Sequence, residues 1–117
     1  MNDNDPAPAV GYLRTDLSGV AAEFDRAQII TRAARLGYTL TGDVIEHTAA
    51  TEHRTEHLLA AIYAHRAEAV IVPTLAHLDK ATFDLVLPAA DIITTQPYET
   101  YARQWTSVQV YPDRPFM

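Results

Sequence analysis

The stretch "EAVIVP", residues 68–73, decides how this chain is read. Ala69, Val70, Ile71 and Val72 form an unbroken apolar run between a glutamate and a proline. A strand with one wet face alternates apolar and polar side chains. A strand covered on both faces has no need to alternate. The run therefore reads as an inner strand of a parallel sheet with helices on both sides.

Working outward, the neighbouring segments supply those helices. Leu58, Leu59, Ile62 and Tyr63 recur at helical spacing and predict the buried face of a helix that starts near Thr51, after the polar loop "TAATEHRT". On the other side, "LDKATFDLVL" (78–87) predicts a helix and "DIITT" (91–95) a strand. Upstream, Val10 to Leu13 reads as a short central strand and Asp16 to Gly19 as a turn. Val20 to Leu36 reads as a helix with an apolar stripe of Phe24, Ala27, Ile30 and Ala34. Ser18 or Asp16 is placed to cap its start, and Gly37 to end it. Tyr38 to Glu46 reads as a second strand. "PYETYARQW" (97–105) reads as a helical turn and "SVQVY" (107–111) as an edge strand. The order β-α-β-α-β-α-β implies one three-layer α/β domain over 9–117, a mostly parallel sheet flanked by helices, behind a disordered tail at 1–8.

Composition narrows the function classes. Nine basic residues stand against fifteen acidic ones, a net charge of −6. Affinity for nucleic acid comes largely from Lys and Arg neutralising phosphates, so DNA binding by this chain alone is expected to be weak or absent. There is no cysteine, hence no disulfide, thiol catalysis or thiolate metal site. No apolar run approaches the ~18 residues of a membrane span. The start "MNDNDPAPA" has neither a basic region nor an apolar core, so a signal peptide is not expected and the cytoplasm is the default location. Lys80 is the one lysine beside eight arginines, a bias typical of GC-rich bacterial genomes.

In such sheets functional groups gather beyond the carboxyl ends of the strands. Arg14 and Asp16 follow the first strand and would share a face, as a phosphate site, an acid/base pair or a structural ion pair; the ion pair is the reading taken. "HRTEH" (53–57) matches the inverted zincin pattern H-x-x-E-H, with His53 and His57 as ligands and Glu56 as base. The chain is small for that class, and the segment is read as a solvated helix start with no metal. His77 and Lys80 follow the third strand as a weak polar cluster, and His47 and His65 are read as surface residues. No glycine-rich nucleotide loop and no G-x-S-x-G elbow occurs, so no cofactor is expected.

Taken together, these pieces resemble the N-terminal catalytic domain of serine recombinases, the resolvase/invertase family. "YLRTD" is similar to the family's opening Y-x-R-x-S, and "RAQIITRAARLGY" to its Q-x-x-x-[IL] helix, with Gln28 at the glutamine. "VIEHTAATEHRTEHLLAAI" resembles the strand with an acidic end followed by R-x-x-L, giving Glu46 and Arg54 as counterparts. "AVIVPTLAHLDK" is similar to the strand and L-D-R-L-x-R block. The likeness runs over about residues 9 to 95.

The resemblance implies a serine nucleophile where Asp16 stands, and two arginines where His77 and Lys80 stand, with Ala76 at the family's aspartate. Losing one preorganised donor to a transition-state oxyanion costs roughly 3–4 kcal/mol. A carboxylate 4 Å from a phosphate charge adds about 4 kcal/mol of repulsion at an effective dielectric of 20. The family also carries a long helix and a DNA-binding segment after this domain, whereas this sequence closes on "VYPDRPFM". The expectation is a catalytically inactive resolvase-like domain that binds a protein partner or a second copy of itself. Its vestigial site would hold Arg14, Asp16, Gln28, Glu46, Arg54, His77 and Lys80. The alternative is a DNA-processing protein of that family with an altered site.

Overall fold

In a computed structural model that describes residues 6–104, the strand β1 (Ala7–Arg14) runs through the middle of the domain. It starts three residues earlier than expected, so Ala7 and Pro8, read as tail, pair with Tyr38 and Thr39. A single helical turn α1 (Thr15–Ser18) and a short 3-10 turn replace the simple turn expected at 16–19 and lead into α2 (Ala22–Arg35). Then follow β2 (Tyr38–Leu40), β3 (Ile45–His47), α3 (Arg54–His65), β4 (Ala69–Val72), α4 (Lys80–Val86), β5 (Asp91–Thr95) and β6 (Tyr98–Tyr101).

The sheet runs β2-β1-β4-β5-β6, parallel except for the antiparallel edge β6. The strand expected over 38–46 is divided. Gly42 takes φ +74°, which breaks the strand between Leu40 and Ile45. β2 then pairs with the start of β1 and β3 with its end. Within the stretch 97–105, expected to turn helically, Tyr98–Tyr101 form an edge strand instead, because "YETY" carries the aromatic and β-branched side chains that suit a pleated surface. The edge strand expected at 107–111 lies outside the described residues.

Two apolar clusters sandwich the sheet. On one face Val10, Tyr12, Val70, Val72 and Ile92 pack with Leu58 and Ile62 of α3 and Val86 of α4. On the other, Ala9, Leu13, Val44, Ala69, Ile71 and Ile93 meet Ile29 and Ala33 of α2. All four residues of β4 are buried, as the "AVIV" run required. Full burial of each such aliphatic side chain is worth about 1.5–3 kcal/mol.

The facing of α2 reverses the expectation. Its sequence carries two stripes at helical spacing. The buried one is Asp25, Ile29 and Ala33, while Phe24, Ala27, Ile30 and Ala34 face outward. Close approach decides between them. A Cβ on Gly11 would lie 2.8 Å from Ile29 Cγ2 and 3.0 Å from Val44 Cγ2, so Ile29 occupies space that only glycine leaves open. Asp25 tolerates burial because Ser18 Oγ donates to it at 2.6 Å and Gln96 Nε2 at 2.9 Å. On α3, Leu58 and Ile62 are buried as expected, whereas Tyr63 is exposed.

Candidate functional site

The order of the parallel strands reverses between β1 and β4. From β1 the chain goes first to β2 and β3 on one side, then crosses to β4 on the other. Ligand sites in open α/β sheets lie at such a switch point, beyond the carboxyl ends of the strands. Here that position holds Arg14 at the end of β1, His47 at the end of β3, His77 in the turn after β4, and Arg54 at the start of α3.

Arg14 is the hub. Its guanidinium forms a two-pronged pair with Asp16, Nε to Oδ1 at 2.8 Å and Nη2 to Oδ2 at 2.6 Å. Such parallel forks are the strong form of charge-assisted hydrogen bond. The pair keeps the Asp16 carboxyl below the usual carboxylate range, with the peptide N–H groups of Asp16 and Ala49 adding to the effect. The expected Arg14–Asp16 ion pair is therefore present, and it engages Nε and Nη2 of the guanidinium.

His77 closes the switch point from the β4 side. It is buried, and its Nδ1 accepts the backbone N–H of Arg14 at 2.9 Å. The proton of the neutral ring then sits on Nε2. Burial holds its pKa below the usual histidine value, against the nearby Asp25 carboxylate, which acts in the opposite sense. A 3-10 turn over Leu75–His77, capped by Thr74 Oγ1 accepting from Ala76 N–H, aims the ring inward.

His47 departs from its expected surface position. It is 4% exposed, with Nδ1 3.1 Å from the Tyr12 hydroxyl and Nε2 2.8 Å from Nδ1 of His57. A Tyr12 hydroxyl that donates to Nδ1 leaves Nε2–H to donate onward, so the three groups form one directed chain from the core to the exposed His57. Burial first, and the His57 ring second, lower the His47 pKa. Burial raises that of Tyr12. The period of two along β3 carried the signal for this placement: His47 lies on the same face as Ile45, which packs into the core.

His57 thus turns toward His47. His53, the other histidine of "HRTEH", precedes α3 in the left-handed conformation at φ 58°. Among the described residues, no group of three or more His, Asp or Glu side chains converges as a metal site would.

Arg54 Nη1 donates to the carbonyls of Ala49 (2.9 Å) and Thr51 (3.1 Å), and Nη2 lies 3.8 Å from Asp79 Oδ2. Asp79 was not singled out in the sequence, yet it joins this cluster. It caps α4 by accepting the Thr82 N–H at 2.9 Å, and that bond first, then the Thr82 hydroxyl, and after them the Arg54 and Arg14 guanidiniums, lower its pKa. Its position just before a helical pattern was the available signal.

Three expected site residues do not join the cluster. Glu46 points to the opposite face and pairs with Arg26 at 2.5 Å. The two line a cavity of about 440 Å³ with Ile30, Leu40 and Asp43. Lys80 is exposed and pairs with Asp84 one helical turn on. Gln28 is half-buried on α2 and takes no part in the hydrogen bonds of the cluster. The assembled group is Arg14, Asp16, Arg54, His77 and Asp79, with Tyr12, His47 and His57 beside it. Chemically it is a set of ion-paired charges beside two buried histidines whose pKa values are lowered. Among the described residues, no helix is long and apolar enough to cross a membrane. Compared with models of protein families, with curated proteins and with solved structures, the chain finds no significant match.

Proposed function

We propose that this chain is a catalytically inactive resolvase-like domain that works as a protein-interaction module. The observation that carries the reading is the Arg14–Asp16 fork. Arg14 is the residue the resemblance assigns to the phosphate, and its hydrogen-bonding face is occupied by a carboxylate from the position of the missing nucleophile. The two positions of the later arginines support the same reading. His77 is buried and neutral with Nδ1 committed to the backbone, and Lys80 faces solvent away from the cluster.

The test is a DNA-binding titration at low and high salt, with the mass of the protein in solution measured in the same samples. Absent or weak, steeply salt-sensitive binding, with no covalent protein–DNA adduct after denaturation, supports the module. Cleavage of a duplex, or a trapped adduct, overturns it. That outcome would support the second reading, a DNA-processing protein with an altered site, which draws on the gathering of Arg14, Arg54 and His77 at the strand ends.

A further inference from the structure

The segment "HRTEH" offered His53 as the partner of His57, one helical turn away. The fold supplies a different one. His47, at the end of β3, brings its Nε2 to 2.8 Å from Nδ1 of His57, with the two rings inclined at 36° and their centroids 4.9 Å apart. Two neutral imidazole nitrogens this close share a proton, since two bare lone pairs would repel. A metal ion can take the place of that proton.

We propose that His47 Nε2 and His57 Nδ1 together bind a divalent first-row transition ion of the Zn(II) or Cu(II) kind, with water completing its coordination. The site stands apart from the reading of the chain as an interaction module. Imidazole–metal bonds of about 2.0–2.1 Å that meet at about 90–109° set their nitrogens about 2.8–3.4 Å apart. The pair already stands at the short end of that range. An ion lies off the line between the nitrogens, so both rings must tilt towards it. His57 is exposed at the start of α3, which lets its ring turn and admits water to the remaining positions.

The surroundings of His47 suit a ligand. Its Nδ1 lies 3.1 Å from the Tyr12 hydroxyl, which can accept from Nδ1–H as well as donate to Nδ1. With the proton on Nδ1, Nε2 is left as the bare nitrogen. Metal-bound histidines commonly give their second N–H to an oxygen in this way, which fixes tautomer and ring orientation. Tyr12 is thus a positioning residue, anchored in the core at 2% exposure. Burial lowers the His47 pKa, so near neutral pH the ion displaces no imidazolium proton from that ring.

Charge and donor type set the class of ion. Arg14 and Arg54 both act on His47 and oppose a cation, but each stands against a carboxylate, Asp16 at 2.6 Å and Asp79 at 3.8 Å. The donors are two imidazoles with no protein oxygen among them. Such a set favours copper, nickel and zinc, whereas magnesium and calcium require oxygen ligands.

Titration of the whole chain with Zn(II), followed by calorimetry and by the imidazole nitrogen signals in NMR, tests the site. One equivalent is expected to bind and to shift the signals of His47 Nε2 and His57 Nδ1. Cu(II) should bind about tenfold tighter or more, and Mg(II) should give no response. His57→Gln, at an exposed position, should weaken Zn(II) binding by about tenfold or more, while His53→Asn should leave it unchanged. Tyr12→Phe should weaken it by about 10–100-fold with the stoichiometry kept. Zn(II) binding that is indifferent to His57→Gln, or that shifts other histidines and not these two, would identify an adventitious ion only and overturn the proposal. So would the absence of any Zn(II) response.

Discussion

Nδ1 of His77 accepts the backbone N–H of Arg14 at 2.9 Å, joining the end of β1 to the turn after β4 across the switch point of the sheet. The bond exists only while the His77 ring is neutral, since a protonated ring has no acceptor. His77 and His47 are both buried and both have pKa values lowered from the ordinary 6.5. For such groups the unfolded chain binds more protons than the folded one, so stability is fully present above about pH 6.5 and falls as pH drops through the lower folded values. Thermal melts between pH 8 and pH 5 should show that loss. His77→Asn, whose amide oxygen can still accept the Arg14 N–H, should flatten part of the slope. His77→Leu leaves that N–H unpaired and should cost about 1–3 kcal/mol at neutral pH. A pH profile unchanged by His77→Asn would remove His77 as a contributor.

Asp16 occupies the fork of Arg14 from a solvent-facing position. Asp16→Ser should therefore change ligand binding more than stability. Exposed ion pairs contribute roughly 0–1 kcal/mol, so the melting temperature should hardly move. The released guanidinium should gain affinity for inorganic phosphate by about tenfold or more, since hydrogen bonds to charged groups are worth about 1.5–3 kcal/mol. Phosphate titrations followed by NMR on both proteins measure this. Equal binding by the two would show that Asp16 does not govern access to Arg14.

Gly11 is required by space and not by backbone conformation. An added methyl would meet the branched Cγ2 atoms of Ile29 and Val44 at 2.8 and 3.0 Å, and neither can swing aside without moving α2 or the segment that leads into β3. Gly11→Ala should destabilise the domain by about 1–3 kcal/mol, the usual cost of overpacking. Denaturant unfolding should show a lower midpoint with an unchanged slope. A neutral or stabilising result would mean that α2 sits farther from β1.

Much of the layout was legible because it rests on local signals. The "AVIV" run announced a strand buried on both faces, and the strand at 91–95 and a helix within 78–87 followed from pattern. Arg14 and Asp16 could be paired from their spacing alone. What escaped depended on contacts distant in sequence. His47 looks like a polar loop residue until Tyr12 and His57, 35 and 10 positions away, supply partners for both ring nitrogens. Glu46 matched a site position by order, yet the alternation along β3 carries it to the α2 face, where Arg26 holds it. Asp79 joined the cluster through a helix cap that the site motifs did not include.

The orientation of α2 gives the sharpest check, because two adjacent isoleucines should respond in opposite ways. Ile29 is fully buried against Gly11 and Val44, and Ile30 is half-exposed. Periodicity alone favoured Ile30 as the core residue, since Phe24, Ala27 and Ala34 complete its stripe. The space over Gly11 and the partners of Asp25 favour Ile29. Ile29→Ala should cost about 2–5 kcal/mol, a transfer term plus an unfilled cavity. Ile30→Ala should remain within roughly 0.5 kcal/mol in the monomer at low concentration, as surface substitutions do. Urea unfolding of the two variants at a few micromolar separates these outcomes. Comparable losses at both positions, or a larger loss at Ile30, would turn α2 over.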